Sequence, residues 1–94
     1  METDSPETPA ISPAQIRAAR ALLGLEQAAL AVSAGVSRQT LITIEANSRE
    51  QKDPRRKKKL EAIRRALEEK HGVEFLSAEG LKGEGVRLKG RFGS

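Results

Sequence analysis

Two short helix-forming segments lie on either side of the tripeptide Gly35-Val36-Ser37, and this arrangement constrains the fold more than any other feature of the sequence. The alanine-rich residues 26–34 are predicted to form a helix, because alanine has the highest helix propensity. Glycine adopts a positive φ without steric cost, so Gly35 can end that helix. Ser37 can then cap a helix over residues 37–46. The pattern predicts a helix-turn-helix.

Similar signals predict two further helices and a hairpin. Ser12-Pro13 is a capping residue followed by proline at the first helical position, and it predicts a helix over residues 13–23. The pair Asp53-Pro54 repeats this signal and predicts a helix over residues 54–70. Residues 73–76 and 85–89 alternate with a period of two, which is typical of strands. We therefore predict a β-hairpin after the last helix, with a long, loose loop between its strands.

The predicted elements divide the chain into four parts. Residues 1–11 contain prolines, threonines and acids, and are predicted to be a disordered leader. Residues 12–72 are predicted to form one helical domain, residues 73–89 the hairpin and residues 90–94 a tail. The fold class expected is mainly α, with four helices and a small C-terminal β-hairpin.

Composition excludes several kinds of function. The chain has 94 residues and no cysteine, so disulfides, thiolate catalysis and cysteine-based zinc sites are absent. No apolar run approaches the roughly 20 residues that span a membrane, and we expect a cytoplasmic protein. The single histidine, His71, has no clustered metal ligands beside it, and no serine belongs to a recognisable catalytic motif. We expect no enzyme activity, no metal and no cofactor.

The charge of the chain points to a polyanionic partner. The formal net charge is +4, and the first eleven residues hold three acidic and no basic side chains, which leaves +7 on the remainder. A basic domain of this size is typical of proteins that bind nucleic acid. Ordinary solubility charge is the alternative explanation.

The outer face of the helix over residues 37–46 is entirely polar at its start. Arginine can form a forked pair of hydrogen bonds with guanine, glutamine can do the same with adenine, and a threonine methyl can contact a thymine methyl. A solvated helix face is the alternative for any one of these residues, but the set favours double-stranded DNA. The candidate residues are Arg38, Gln39, Thr40 and Thr43.

Residues 12–76 resemble the Cro/repressor-type helix-turn-helix family, also called the Xre family, which has the lambda-repressor-like fold. The stretches that carry the resemblance are SPAQIRAARALLGLEQAALAVSAGVSRQTLITIE and LEAIRRALEEKHGVEFL. Members typically show Leu-Gly at the end of the first helix, then an early glutamine, then Ala-Gly-Val-Ser and a terminal Ile-Glu. The resemblance implies a bundle of four or five helices that binds operator DNA, usually as a dimer. The matching positions are Leu23-Gly24, Gln27, Ala34-Gly35-Val36-Ser37 and Ile44-Glu45.

The resemblance also implies roles for single residues. Gln27 would hold a backbone phosphate and buttress the recognition helix. Arg38, Gln39 and Thr43 would face the bases, whereas Ser37, Thr40 and Asn47 would touch phosphates. Arg49 and Lys52, in the loop that follows, are placed near the DNA backbone.

Two positions depart from the family pattern. Glu26 stands where serine or threonine is usual, which puts an acid close to DNA and weakens the expected contact. Asn47 stands where glycine is usual, although asparagine can still adopt the left-handed conformation.

A run of five cations, residues 55–59, begins the last predicted helix. Each cation at a helix start interacts unfavourably with the helix dipole, and this destabilises the helix by tenths of a kcal/mol up to about 1 kcal/mol. Phosphate binding would give a reason for the run, since each neutralised phosphate releases counterions. A solvated tract without any contact is the alternative, and the sequence leaves both open.

Four apolar residues of the hairpin need a cover, because an isolated two-stranded hairpin is barely stable in water. Helix 54–70 of the same chain is one cover, and the hairpin of a second chain is the other. We expect a homodimer whose hairpins space two recognition helices about one DNA turn apart, roughly 34 Å. The four residues are Val73, Phe75, Val86 and Leu88.

These features predict a bacterial transcriptional regulator, a repressor, that binds a short near-palindromic operator. One alternative is an antitoxin-type regulator that also binds a partner protein, a toxin. Another is sequence-independent binding of RNA or DNA through the lysine-rich helix.

Overall fold

The computed structural model describes residues 11–46 and 54–89. Within these ranges, four helices precede a two-stranded antiparallel sheet, which confirms the predicted fold class. The leader up to residue 10, the tail, and the candidate residues Asn47, Arg49 and Lys52 lie outside the described residues. The elements are α1 (Pro13–Leu23), α2 (Gln27–Ala34), α3 (Arg38–Ala46), α4 (Pro54–His71), β1 (Val73–Leu76) and β2 (Gly85–Leu88).

Helix α1 begins as its local sequence predicts. The hydroxyl of Ser12 accepts a hydrogen bond from the backbone N–H of Gln15 at 3.1 Å, and the backbone N–H of Ser12 donates to Gln15 Oε1 at 2.9 Å. This reciprocal capping box satisfies two backbone groups at the helix start. Ile11, which the sequence analysis assigned to the leader, is buried and belongs to the core.

The turn between α2 and α3 is held by backbone hydrogen bonds. Gly35 has φ of 72°, a left-handed conformation in which a side chain would be strained. The N–H of Val36 donates to the carbonyl of Ala31 at 3.0 Å, which closes the C-terminal end of α2. Both helices begin one residue later than predicted, because Glu26 and Ser37 precede them as extended or capping residues.

The core is aliphatic and lies where all four helices and the sheet meet. Helix α2 packs along α4 and against α3, while α1 packs against α3 and β2. Burying each large aliphatic side chain contributes about 1.5–3 kcal/mol. On α2 the buried residues are Leu30 and Ala31, whereas Ala28 is exposed. The fully buried side chains are Ile16, Leu30, Leu41, Ile44, Ile63, Leu67 and Val73.

The hairpin is covered mainly by its own chain. Val73 pairs with Leu88 and Phe75 with Val86, so all four apolar side chains share one face. Val73 is buried, and Phe75 and Val86 pack against the core, whereas Leu88 remains 45% exposed. Helices α1 and α4 supply the cover.

The connection between the strands differs from the predicted loose loop. Glu79 and Lys82 exchange two backbone hydrogen bonds of 2.8 and 2.9 Å, which form a tight turn around Gly80 and Leu81. Gly80 has φ of 58° and no residue other than glycine has a positive φ in the described chain. A glycine at the first central position suits a hairpin turn, and the sequence signal was present but was not recognised.

Candidate nucleic-acid interface

The first turn of α3 presents polar side chains on an exposed surface. Ser37 caps this helix, because its hydroxyl oxygen accepts a hydrogen bond from the backbone N–H of Thr40 at 3.0 Å. The same hydroxyl donates to Thr40 Oγ1 at 2.9 Å. Arg38 and Gln39 are exposed and follow the cap directly. The cap therefore fixes the backbone from which these two long side chains extend.

A second turn continues this surface. Gln39 Nε2 lies 3.5 Å from Thr43 Oγ1, at the limit of a hydrogen bond. Thr43 and Ile42 are half-buried. Positions three and four apart share one helix face, so Ile42 and Thr43 lie one turn beyond Arg38 and Gln39. The structure thus brings together the three residues predicted to face bases, and adds Ile42, which the sequence analysis did not single out.

The other end of α3 is anchored by a buried ion pair. Glu45 is 4% exposed, and both of its carboxylate oxygens accept hydrogen bonds from the Arg20 guanidinium, each at 2.8 Å. These hydrogen bonds raise the pKa of Arg20, against the opposing effect of its burial. Arg17 donates to the backbone carbonyl of Glu45. Two arginines of α1 thus hold the last turn of α3.

Gln27 joins this anchor from α2. Its Nε2 donates to Glu45 Oε1 at 3.1 Å, and its side chain is half-buried. One amide N–H of Gln27 is therefore used inside the protein, which fits a residue that buttresses α3. The amide has a second N–H and a carbonyl oxygen as further hydrogen-bonding groups.

An open groove lies between the starts of α2 and α3. Gln27 and Arg38 both line this groove, although they are eleven positions apart in the sequence. Glu26 lies there too, exposed and without a side-chain capping hydrogen bond. Because the Arg20 guanidinium is paired with Glu45, the charges left at the groove are those of Arg38 and Glu26, which formally cancel. The lining residues are Arg20, Glu26, Gln27, Ala28 and Arg38.

Sequence reasoning missed the anchor, although a signal existed. Glu45 lies four positions after the buried Leu41, on the same helix face, so its side chain had to enter the interior. A buried carboxylate needs a partner of opposite charge or several hydrogen-bond donors. That requirement could have indicated an arginine partner, although not which arginine.

Potential metal ligands, helix length and the single histidine of the described part of the chain bear on other kinds of site. Residues 11–46 and 54–89 contain no group of three or more potential metal ligands among histidine, cysteine and carboxylates. No helix in these ranges has the length and apolar character needed to cross a membrane. His71 Nε2 shares a hydrogen bond of 3.0 Å with Ser33 Oγ, which joins α4 to α2.

Comparison with known proteins agrees with this geometry. A family model described as "Helix-turn-helix" matches residues 16–70, more than half of the chain, and covers the helices that form the groove and its anchor. A search of curated proteins finds no match. With a glycine turn between α2 and α3, an exposed capped α3 and a family match over all four helices, the chain belongs to the Cro/repressor-type (Xre) helix-turn-helix family of DNA-binding transcription regulators.

Proposed function

We propose that this protein is a bacterial repressor that binds a short near-palindromic operator as a homodimer, with α3 in the major groove. One observation carries the proposal: α3 exposes a polar first turn while Arg20 and Gln27 fix its far end through Glu45. A helix held in this way presents its side chains to a groove in a single orientation. We also propose a cytoplasmic location, associated with the bacterial nucleoid.

Each residue of the outer surface of α3 has a proposed contact. Arg38 donates a forked pair of hydrogen bonds to guanine, and Gln39 binds adenine. Thr43 and Ile42 contact the methyl group of thymine. These contacts carry the sequence preference.

A second set of residues is proposed to hold the phosphates. Phosphate contacts fix the register of a protein on the duplex and carry no sequence preference of their own. Gln27 uses its remaining amide groups, and Ser37 and Thr40 use their hydroxyls. Asn47, Arg49 and Lys52, which lie outside the described residues, are proposed to complete this set.

Selection of bound sites from a random pool of duplex DNA tests the proposal. We expect an enriched motif with two related half-sites whose centres are about 34 Å apart. In the Gln39→Ala variant, affinity for the selected site should fall by about 1–3 kcal/mol and one base preference should relax. In the control Arg49→Ala, affinity should fall similarly on all sequences. The base-contact assignment is wrong if both variants lose affinity without a change in preference.

The hairpin of residues 73–89 is proposed to be the dimerisation element, and it shares one core with the helix-turn-helix domain of residues 12–72. Its apolar face is covered within the chain except at Leu88, which is 45% exposed at the end of β2. Both strands of a two-stranded sheet have an unpaired edge that can add a further strand. Pairing of two β2 strands would cover Leu88.

A point substitution tests this interface better than removal of the hairpin, because Val73 and Phe75 belong to the core. Leu88→Glu should give a monomer in analytical ultracentrifugation, whereas Leu81→Glu, at a fully exposed turn, should leave a dimer. A dimeric Leu88→Glu variant would move the interface elsewhere, with α4 as the next candidate.

An antitoxin-type regulator remains the second candidate, with no residue of the described chain that favours it. The large exposed apolar side chains of the described residues lie separately, on α1, α2, the hairpin turn and β2, and single exposed apolar residues are ordinary. Co-purification with the product of the neighbouring gene separates the two candidates. The four side chains are Leu22, Val32, Leu81 and Leu88.

A further inference from the structure

The first turns of α4 carry a concentration of positive charge, which we name the cationic end and define as residues 55–59. All five positions are lysine or arginine, and the first turn of this helix contains no acidic residue. Lys57, Lys58 and Lys59 are exposed. Like charges three and four positions apart repel one another, and cations also oppose the dipole at this end of a helix. The charges of Lys57, Lys58 and Lys59 therefore do not stabilise the start of their own helix.

The rest of α4 has a balanced charge, in contrast to the cationic end. Residues 60–70 contain three basic and three acidic side chains, so their formal charges cancel. Arg64 pairs with Glu61 and with Glu68, and Arg65 also approaches Glu61. Glu61 and Glu68 thus pair with arginines of the same part of α4. No carboxylate of residues 11–46 or 54–89 pairs with the three lysines of the cationic end.

The packing of α4 locates the cationic end within the molecule. The last turn of α4 is fixed to the C-terminal end of α2, where Lys70 Nζ donates to the Ser33 carbonyl at 2.8 Å and His71 binds the Ser33 hydroxyl. Helix α4 has 18 residues and is about 27 Å long. The cationic end is consequently the end of α4 distant from Ser33.

The opposite end of α2 carries the proposed phosphate contact. Gln27, in the first turn of α2, binds Glu45 in the last turn of α3. Helix α4 follows α3 in the chain and packs along α2. The cationic end thus lies towards the side of the molecule that carries Gln27 and the groove.

We propose that the cationic end binds the phosphates of duplex DNA outside the bases that α3 contacts, and thereby supplies affinity that is independent of sequence. The proposal rests on the proposed function for the orientation of α3 on DNA. The phosphodiester backbone is the proposed ligand because the exposed, clustered Lys57, Lys58 and Lys59 match a regular row of negative charges. Lysines are point charges that suit phosphates without selecting a base.

A triple substitution in the full chain tests the proposal: Lys57→Gln, Lys58→Gln and Lys59→Gln together. Dissociation constants are measured by fluorescence anisotropy on the selected operator and on a random-sequence duplex of equal length, at several salt concentrations. Each lost phosphate contact should reduce the slope of log affinity against log salt by about 0.9, so the loss of three contacts from each protomer of the dimer should reduce it by about 5.4. We expect affinity for both duplexes to fall by the same factor.

A matched control has the same change in net charge at other places: Arg65→Gln, Lys82→Gln and Lys89→Gln together. We expect this variant to retain more of the salt dependence than the lysine triple variant. Equal losses in the two variants would overturn the proposal, because overall charge would then explain the effect. An unchanged slope in the lysine triple variant would overturn it as well.

Further measurements test helix stability, separate this proposal from the proposed function, and compare DNA with RNA as the ligand. The midpoint of urea unfolding should not fall in the lysine triple variant, because the substitutions remove charges that oppose the helix dipole; a lower midpoint would overturn the account of the cationic end. If site selection gives no motif, the proposed function is wrong. The salt dependence of binding to the random-sequence duplex then still tests whether the cationic end binds phosphates. A double-stranded RNA that competes through the same lysines more strongly than the DNA duplex would overturn the choice of DNA.

Discussion

The Arg20 guanidinium holds the Glu45 carboxylate by two hydrogen bonds of 2.8 Å, and this pair joins the last turn of α1 to the last turn of α3. Arg20 Nη1 also donates to the carbonyl of Leu25 at 3.1 Å. The same guanidinium therefore fixes the connection that leads into α2. One side chain thus sets the relative positions of three segments around the groove.

Removing the arginine should destabilise the fold strongly. In Arg20→Met the Glu45 carboxylate, 4% exposed, loses its charge partner. Leaving one partner of a buried pair uncompensated typically lowers the free energy of unfolding by about 3–5 kcal/mol; because Arg20 is 22% exposed, we expect the lower part of that range. Urea denaturation measures the change.

The control for this prediction is Arg65→Met. Arg65 lies 3.7 Å from Glu61 in an exposed pair, with side chains 62% and 42% exposed. Exposed pairs contribute about 0–1 kcal/mol. Losses below 1 kcal/mol in both variants would mean that the Arg20–Glu45 pair does not stabilise the fold.

Features set by neighbouring residues were predictable from the sequence. Ser12, Pro13 and Gln15 define the start of α1 through contacts within one turn, so the predicted helix 13–23 is confirmed at both ends. Gly35 fixes the turn in the same local manner. The helix-turn-helix follows from these signals because each depends on the conformation of only a few consecutive residues.

Features set by distant residues were not predictable in the same way. Arg20 and Glu45 are 25 positions apart, and α1 offers both Arg17 and Arg20 as partners, so only the packing angle of α1 and α3 selects Arg20. The cover of the hairpin likewise depends on where α1 and α4 lie. Periodicity identifies an apolar face but contains no information on which surface will cover it.

Gln15 provides a second stability prediction, because it links α1 to the hairpin as well as capping the helix. It is 6% exposed, and its Nε2 donates to the carbonyls of Leu76 and Gly85 at 3.1 and 3.0 Å. Glutamate at this position would keep the acceptor that the Ser12 backbone N–H needs, but it would lose both donors. Gln15→Glu should therefore separate the two roles of this side chain.

We expect Gln15→Glu to lower the free energy of unfolding at pH 7 by about 1–3 kcal/mol, since two part-buried carbonyls would face a carboxylate. Thermal and urea denaturation measure the loss, and Gln39→Glu, on the exposed face of α3, is the control. A Gln15→Glu variant as stable as the control would show that the tether to Leu76 and Gly85 contributes nothing.

The exposed pair Glu74–Arg87 on the outer face of the hairpin gives a prediction for pH. Hydrogen bonds from Arg87, at 3.0 and 3.2 Å, lower the pKa of Glu74, and the charge of Lys89 acts in the same direction. Since the pKa is lower in the folded than in the unfolded protein, the stabilisation is complete above the unfolded value, about 4.3. It is lost as the pH falls through the lower folded value.

Comparison of the wild type with Glu74→Gln measures this contribution. The difference between their free energies of unfolding should be constant from pH 7 to about pH 5 and should shrink at lower pH. It should remain small, because both side chains are exposed and solvent screens the pair. A difference that does not vary between pH 7 and pH 3 would contradict the assignment.

Substitution of Glu26 tests whether the charge at the groove affects the affinity for DNA. Its carboxylate lies at the groove with Gln27 and Arg38, and it caps none of the backbone N–H groups at the start of α2. A phosphate bound at Gln27 would meet this negative charge. Two unit charges 4 Å apart in water repel by about 1 kcal/mol, which corresponds to roughly a five-fold change in affinity. Glu26→Gln should therefore bind DNA about five-fold more tightly per half-site at low salt, and the gain should shrink as salt rises.

Glu69→Gln removes the same charge from an exposed position near the C-terminal end of α4, so it is the matched control for Glu26→Gln. Equal gains in the two variants would mean that net charge alone acts and that no phosphate lies at Gln27. Glu26→Ser adds a second effect, because serine can accept the hydrogen bond that the glutamate leaves unmade, and a cap contributes about 1 kcal/mol to helix stability. The serine variant should thus gain affinity like the glutamine variant and, unlike it, also unfold at a higher urea concentration.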